Sequence, residues 1–530
     1  MICQWCLMVI KNRLIHTILS TKKEYNMYKF IRFLTHKSTI IALLILLQLL
    51  FFGYVVFYVS KLSTMLLYFF EAISYLIVIY VLVSNEPIHY KIAWIIPILI
   101  APIFGGLFYV MFKPHKLSNK VMQDMTYYRE IRKKTLTKSL GSAVFYDEQI
   151  SKQVHHLGFD KWPLYEKTET TFFPSGKNKL DALLPLLEGA KKFIFLEYFI
   201  IEPGIVWDQI HTILKKKAKE GIDIRIIYDD FGCTFKQPRA FKEQLLSDGI
   251  KVSVFNPMRP RLNLAMNYRD HRKIIIIDGN YGFTGGINLA DEYMNLKEVH
   301  GHWQDAAIML KGDAVWSLTL IFLENWDYNK HTQSDSTLFK PSINAKHDGY
   351  VIPFADSPLD DNFVTKHAYL NMIMHAKKSI QITSPYFIID NELMTALKLS
   401  AESGVKVDII VPGIPDKRYV QVASEYYYKE LLKTPNINIH KYQKGFIHSK
   451  IVLIDDELAI VGTTNFDFRS LYLHFENSVW LYQVKAINEI KNYMEESIES
   501  SNLITSEMLK KHGFFYRFYQ SILVGFSHLM

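Results

Sequence analysis

A chain of 530 residues is too long for one ordinary domain, and three cysteines are too few for a disulfide framework. The hydrophobic fraction is 49% and the mean hydropathy +0.04, high enough for part of the chain to be embedded in a membrane. Lysine plus arginine exceed aspartate plus glutamate by nine (61 against 52), a balance that suits a phosphate-bearing partner, either anionic lipid or nucleic acid.

In chain order, residues 1–37 read as a basic N-terminal extension. Cys3 and Cys6 have Cys-x-x-Cys spacing there. No second pair or histidine cluster completes a zinc site, and no βαβ pattern surrounds them, so they read as reduced and incidental, like Cys233. Residues 38–113 read as a transmembrane, membrane-anchoring region. Apolar runs cover about residues 40–59, 65–83 and 92–112, each close to the roughly 20 residues that cross a ~30 Å hydrocarbon core. Glu71 is the main interruption, and an ionisable group is costly in lipid. Basic residues flank both ends, from Lys11 to Lys37 and from Lys113 to Lys138, and both flanks vote for the cytoplasmic side. An even number of crossings satisfies both, with one run re-entrant or interfacial, or with translation starting at Met27. The expectation is a multi-pass cell-membrane protein with a cytoplasmic catalytic region.

Residues 114–150 read as a basic linker, 151–335 and 336–505 as two repeats, and 506–530 as a tail. Ala190-Lys191-Lys192-Phe193-Ile194 returns as Ala376-Lys377-Lys378-Ser379-Ile380, and each leads to Tyr-Phe-Ile-Ile, at Tyr198 and at Tyr386. Each half reads as helix, strand, helix, strand and a further apolar strand, which predicts an α/β layered fold. The run Ile274–Ile277 suits a strand buried on both faces. In the tail, Lys510, Lys511 and Arg517 alternate with Phe514, Phe515 and Phe518, which fits a helix at a lipid surface or one packed on the protein.

The chemistry is written twice. His271, Lys273 and Asp278 form a His-x-Lys-x4-Asp pattern, and His448, Lys450 and Asp455 repeat it 177 positions later (448−271). Asn288 and Asn465 each follow their histidine by 17, and Asp305 and Glu476 come after them. In a strand, residues i and i+2 share a face, so each histidine projects with its lysine. A neutral imidazole can attack phosphorus or move a proton, and an ammonium suits a phosphate oxygen. Asn288 and Asn465 offer N–H donors to phosphate. Asp305 and Glu476 are candidates to orient the histidines through the second ring nitrogen. Asp278 and Asp455, grouped with the catalytic motif, lie five positions beyond the lysines, where they serve the loop rather than the substrate. Gly285, Gly286 and Gly462 permit close backbone approach nearby.

These residues resemble the phospholipase D superfamily. The stretches Gly285-Gly286-Ile287-Asn288, His302-Trp303-Gln304-Asp305 and Gly462-Thr463-Thr464-Asn465 through Arg469-Ser470 to Glu476 look like its bacterial cardiolipin synthase branch. The resemblance implies two phospholipase D-like α/β repeats related by a pseudo-two-fold axis. It implies metal-independent transfer through a phosphohistidine, without a cofactor. By resemblance, His271 attacks one phosphatidylglycerol and His448 protonates the departing glycerol, then activates a second phosphatidylglycerol to give cardiolipin. The residues themselves leave the nucleophile open, since both halves carry the same groups. The implied partners are phosphatidylglycerol and anionic membrane lipid, with no nucleic acid. Phosphatidylserine synthesis, phospholipid hydrolysis, nuclease action and a non-enzymatic membrane scaffold are the alternatives.

Overall fold

The computed structural model describes residues 64–84, 88–100, 119–137 and 147–527, interrupted at 235, 239, 258–267 and 360–361, with scattered positions between 46 and 109. The basic extension with Cys3, Cys6 and Met27, and most of the first apolar run, lie outside the described residues. The second run forms a helix over Thr64–Val83 that leaves Met65, Tyr68, Phe69, Leu76 and Ile79 exposed. The third enters the 13-residue helix Ile88–Ile100, with Pro97 inside it, and most of the run beyond residue 100 lies outside the described residues. Among the described residues no helix is long and apolar enough to cross a membrane. The expected transmembrane helices therefore gain no support from the fold.

The segment read as a basic linker contains the helix Asn119–Thr137. Two of its cations are buried: Arg129, and Arg132, which is paired with Glu324 at 2.5 Å and lies 4.0 Å over the Trp162 ring. Two charges counted in the C-terminal flank thus serve the core.

The remainder is two mixed sheets of the same plan. The first holds β1 (Thr168–Phe173), β2 (Phe193–Tyr198), β3 (Asp223–Asp229), β4 (Lys251–Phe255), β6 (Lys273–Ile277), β7 (Tyr281–Gly285) and β9 (Ala307–Gly312), in the order β1-β9-β7-β6-β2-β3-β4. The second holds β10 (Tyr350–Asp356), β11 (Ser379–Thr383), β13 (Lys406–Val411), β14 (Ile437–Tyr442), β16 (Ile451–Ile454), β17 (Leu458–Gly462), β19 (His474–Tyr482) and β20 (Ser501–Leu503), in the order β10-β19-β17-β16-β11-β13-β14-β20. Strand for strand, the second order repeats the first, with β20 added at one edge. Within β6, Ile274 and Ile276 enter one apolar core while Ile275 and Ile277 enter another. Both faces of this strand are covered, as its unbroken β-branched run predicts, and each buried isoleucine contributes about 1.5–3 kcal/mol.

The five remaining strands of the described residues are short. β5 (Arg269–Asp270) runs parallel to the start of β19, and β8 (His302–Gln304) runs parallel to β15 (Gly445–Ile447). Each of these pairs joins one repeat to the other. β12 (Phe387–Ile388) pairs with β18 (Phe466–Asp467) inside the second repeat, and the bridge Ile201–Leu289 is its counterpart in the first.

That bridge corrects one sequence correspondence. Ile201 takes the place of Phe387, so the two Tyr-Phe-Ile-Ile segments are two residues out of register. Tyr198 is an interior residue whose hydroxyl receives a bond from Lys179 at 3.0 Å, whereas Tyr386 lines the central cavity.

Candidate active site

The parallel pairings β5–β19 and β8–β15 deliver the two histidines. The His271 N–H donates to Phe475 O at 2.9 Å, and the His448 N–H donates to Gln304 O at 2.7 Å. Each histidine is therefore anchored to a strand of the other repeat. Both line one cavity of about 560 Å³. Each lysine, two residues on, turns its ammonium to the carbonyl of its own histidine: Lys273 Nζ to His271 O at 2.5 Å, and Lys450 Nζ to His448 O.

The orienting acids are crossed. Glu476 of the second repeat holds Nδ1 of His271 at 2.9 and 3.0 Å, and Asp305 of the first repeat holds Nδ1 of His448 at 2.7 Å. Both carboxylates are fully buried. A carboxylate accepts only, so Nδ1 carries the proton and Nε2 keeps its lone pair. Local sequence makes room for this. A Cβ on Gly286 would lie 2.0 Å from Asp305 Oδ1, and at the position equivalent to Gly286, Thr463 donates its hydroxyl to Glu476 Oε2 at 2.5 Å.

Burial first, then the neighbouring lysines, hold the His271 imidazolium well below the usual histidine range and push His448 down to about 4. Both rings are neutral at pH 7. Burial also pushes Lys273 down to about 7 and Lys450 to about 8. Such a site is costly to charge when empty, and an anion entering between the lysines offsets that cost.

Asn288 and Asn465 both line the cavity. Asn288 accepts from Ile200 N at 3.2 Å and donates to the Tyr293 hydroxyl at 2.7 Å, while Asn465 donates to Asp467 at 3.0 Å. Asp278 and Asp455 do not join them. Asp278 accepts the backbone N–H groups of Lys191, Lys192 and Phe193 at 2.7–3.0 Å, and Asp455 those of Lys377, Lys378 and Ser379 at 2.7–2.9 Å. Their place in the catalytic motif is thus corrected to a structural one. They sit at φ 55° and 53°, where a short polar side chain is tolerated, and lock the strand beside each motif lysine.

Several cavity residues escaped the sequence reading. His474 lies beside His271 (ring centroids 5.5 Å apart) and Trp303 beside His448 (5.3 Å). Each stands two residues before the acid of its repeat, so the acid offsets contained the signal. Tyr386, Asp416 and Lys417 reach the cavity from loop and helix-entry positions with no periodic signature. Among the described residues, His271, His474 and Glu476 place ligand atoms within 4.8 Å of one another, close enough for a cation. Glu476 is already engaged by His271 and Thr463, so a cation there would displace the proton that sets the reactive tautomer.

Duplicated sheet and facing His-Lys pairs together define a phospholipase D-like phosphodiester centre. A family model described as "Cardiolipin synthase, PLD-like domain" matches residues 183–311 and 369–498. An uncharacterized protein of Streptococcus mutans is 38% identical over 437 residues, spanning 79% of this chain and 92% of its own. A cardiolipin synthase of Alkalihalophilus pseudofirmus is 36% identical over 440 residues, spanning 81% and 87%. The crystal structure of a phosphatidylserine synthase from Haemophilus influenzae shares the fold, with a TM-score of 0.56 at 14% identity over 73% of this chain and 98% of that one. The chain belongs to the cardiolipin synthase family of phospholipase D-like proteins.

Proposed function

We propose that the protein is a phosphatidyltransferase that converts two phosphatidylglycerols into cardiolipin and glycerol. The observation that carries this reading is a pair of neutral imidazoles facing one cavity, each held in its Nδ1–H tautomer by the other repeat's acid. In the first step, Nε2 of one histidine attacks the phosphorus of a phosphatidylglycerol. As the anionic lipid binds, the second histidine takes up a proton from water on Nε2; an N–P bond then forms, the P–O bond to glycerol breaks, and glycerol leaves with that proton, which returns the histidine to its neutral Nδ1–H form. In the second step that histidine removes the proton from a hydroxyl of another phosphatidylglycerol, whose oxygen displaces the phosphohistidine. The family resemblance gives the attack to His271. Lys273, Lys450, Asn288 and Asn465 hold the phosphoryl oxygens as charge shifts between them. One phosphodiester replaces another, so the balance closes without nucleotide or redox partner, and the covalent intermediate lets two lipids use one site in turn.

A membrane setting supports the same reading. The helix Phe514–Gly525 docks on the helix Arg418–Leu431 through Tyr516 to Glu425 at 2.5 Å and Gln520 to Val422 O at 2.7 Å, while Phe514, Phe515 and Phe518 stay exposed. The tail is thus both packed and apolar outward, suited to a lipid surface. With the apolar residues exposed on Thr64–Val83, this favours a cell-membrane protein anchored by its N-terminal region, with the catalytic region on the cytoplasmic side.

The test is lipid analysis after incubating the protein with phosphatidylglycerol liposomes, with and without a chelator. Cardiolipin plus glycerol from the parent, chelator-insensitive and reduced at least ~10³-fold in His271→Ala and His448→Ala, is the expected result. Phosphatidic acid alone would make the protein a hydrolase.

A further inference from the structure

The cavity is framed by a pseudo-two-fold axis, yet its two sides do not match. Beside His271, β5 and β19 pair Arg269 with His474. At the related positions beside His448, β15 and β8 pair Phe446 with Trp303. Arg469 lies 177 positions after Glu292, the same offset as the two motif histidines, and both line the cavity. One side therefore presents two guanidiniums and an imidazole. The other presents two aromatic rings and a carboxylate, the latter already paired with Lys236 at 3.1 Å.

Arg269 is only 2% exposed. Its Nη1 donates to Asn256 O at 3.0 Å, its guanidinium lies 5.1 Å over the Phe231 ring, and Asp229 stands at 3.6 Å. Among the described residues its Nε and Nη2 have no hydrogen-bond partner. Burial pushes Asp229 up to about 7, so its carboxylate is an incomplete counter-charge at neutral pH. His474 likewise leaves Nδ1 without a hydrogen bond among the described residues, 3.7 Å from Glu476. Buried donors left unused beside a cavity are costly, and guanidiniums match phosphate oxygens in a bidentate fork.

From this asymmetry we propose that Arg269, Arg469 and His474 form a second anion subsite, which holds the phosphate of the acceptor phosphatidylglycerol while the His-Lys pairs hold the reacting one. The inference rests on the reading given under Proposed function. The two phosphates of cardiolipin are joined by a single glycerol, so a subsite beside the reaction centre is where the second one must lie. Water and simple alcohols carry no such group. The subsite thus steers the phosphohistidine toward lipid and away from hydrolysis.

The experiment follows two products in one tube: cardiolipin, and phosphatidylglycerol that has exchanged its head group for labelled free glycerol. Both draw on the same phosphohistidine, but only the first uses an anionic acceptor. Arg469→Gln is expected to lower the ratio of cardiolipin to exchanged phosphatidylglycerol at least tenfold, Arg469→Lys to restore part of it, and His474→Asn to lower it less. The ratio reads only active molecules, so partial misfolding cannot mimic the effect. A ratio unchanged in all three variants, with a parent that makes both products, overturns the subsite alone. A parent that makes neither product overturns the subsite together with the transferase reading beneath it.

Discussion

The two repeats carry the same motif on different supports. In the first, the residue between His271 and Lys273 is Arg272, which reaches Glu197 on the neighbouring strand at 3.5 Å. Asn325 also donates to Glu197, at 2.8 Å, and burial together with the Glu197 charge pushes Asp270 well above the usual carboxylate range. In the second, Ser449 occupies the Arg272 position and Thr383 the Glu197 position, and they meet as two hydroxyls at 2.9 Å with the Tyr493 hydroxyl alongside at 2.8 Å. One repeat holds its motif with a buried ionic network, the other with neutral hydrogen bonds. The chemistry constrains His, Lys and Asn, while the residues beneath them need only satisfy one another's polar groups.

The largest expected break in this comparison is Glu197→Ala. It removes a buried charge partner and should cost about 3 kcal/mol or more in denaturant unfolding. Thr383→Val at the matching position loses a neutral bond and should cost about 1 kcal/mol. Equal losses would mean that the ionic network carries no special burden.

Next come the crossed acids. Glu476→Gln and Asp305→Asn keep shape but release the tautomer, and each should lower kcat about 10- to 100-fold with little change in Tm. Thr463 adds a second hold on Glu476 at 2.5 Å, so Thr463→Val should produce a smaller drop of the same kind.

The mildest effect is in pH dependence. Lys273 near 7 and Lys450 near 8 lose their protons as pH rises, and a neutral amine no longer attracts phosphate. The kcat/KM for phosphatidylglycerol should therefore fall above about pH 7, by up to about tenfold per unit for each lysine that must keep its proton. His448, near 4 in the empty site, takes up its proton only with the anionic lipid, so its titration acts in the same direction as the lysines. A profile level to pH 9.5 would show that the lysines keep their protons in the free enzyme.

Most of the active centre was legible because it is duplicated. Matching offsets for histidine, lysine and asparagine, with a carboxylate following in each half, single those residues out from their neighbours. The strand Lys273–Ile277 was legible from its β-branched run. The crossing of the acids was not, because it depends on which short strands pair, and β5 and β8 are only two and three residues long. The matching Tyr-Phe-Ile-Ile words misled because identity of letters outranked strand register. Arg269 gave no signal, since its counterpart, Phe446, is chemically unlike it.

The exchange of carboxylates between repeats has a consequence for assembly. An isolated repeat would own a histidine, a lysine and an acid, yet the acid could not reach that histidine. A single repeat could complete the site only as a two-fold dimer, each copy supplying its twin's acid. Joining two such copies in tandem turns that contact between chains into one within a chain. Joined in this way, the halves can differ in their supports but cannot act apart, because neither contains a whole catalyst.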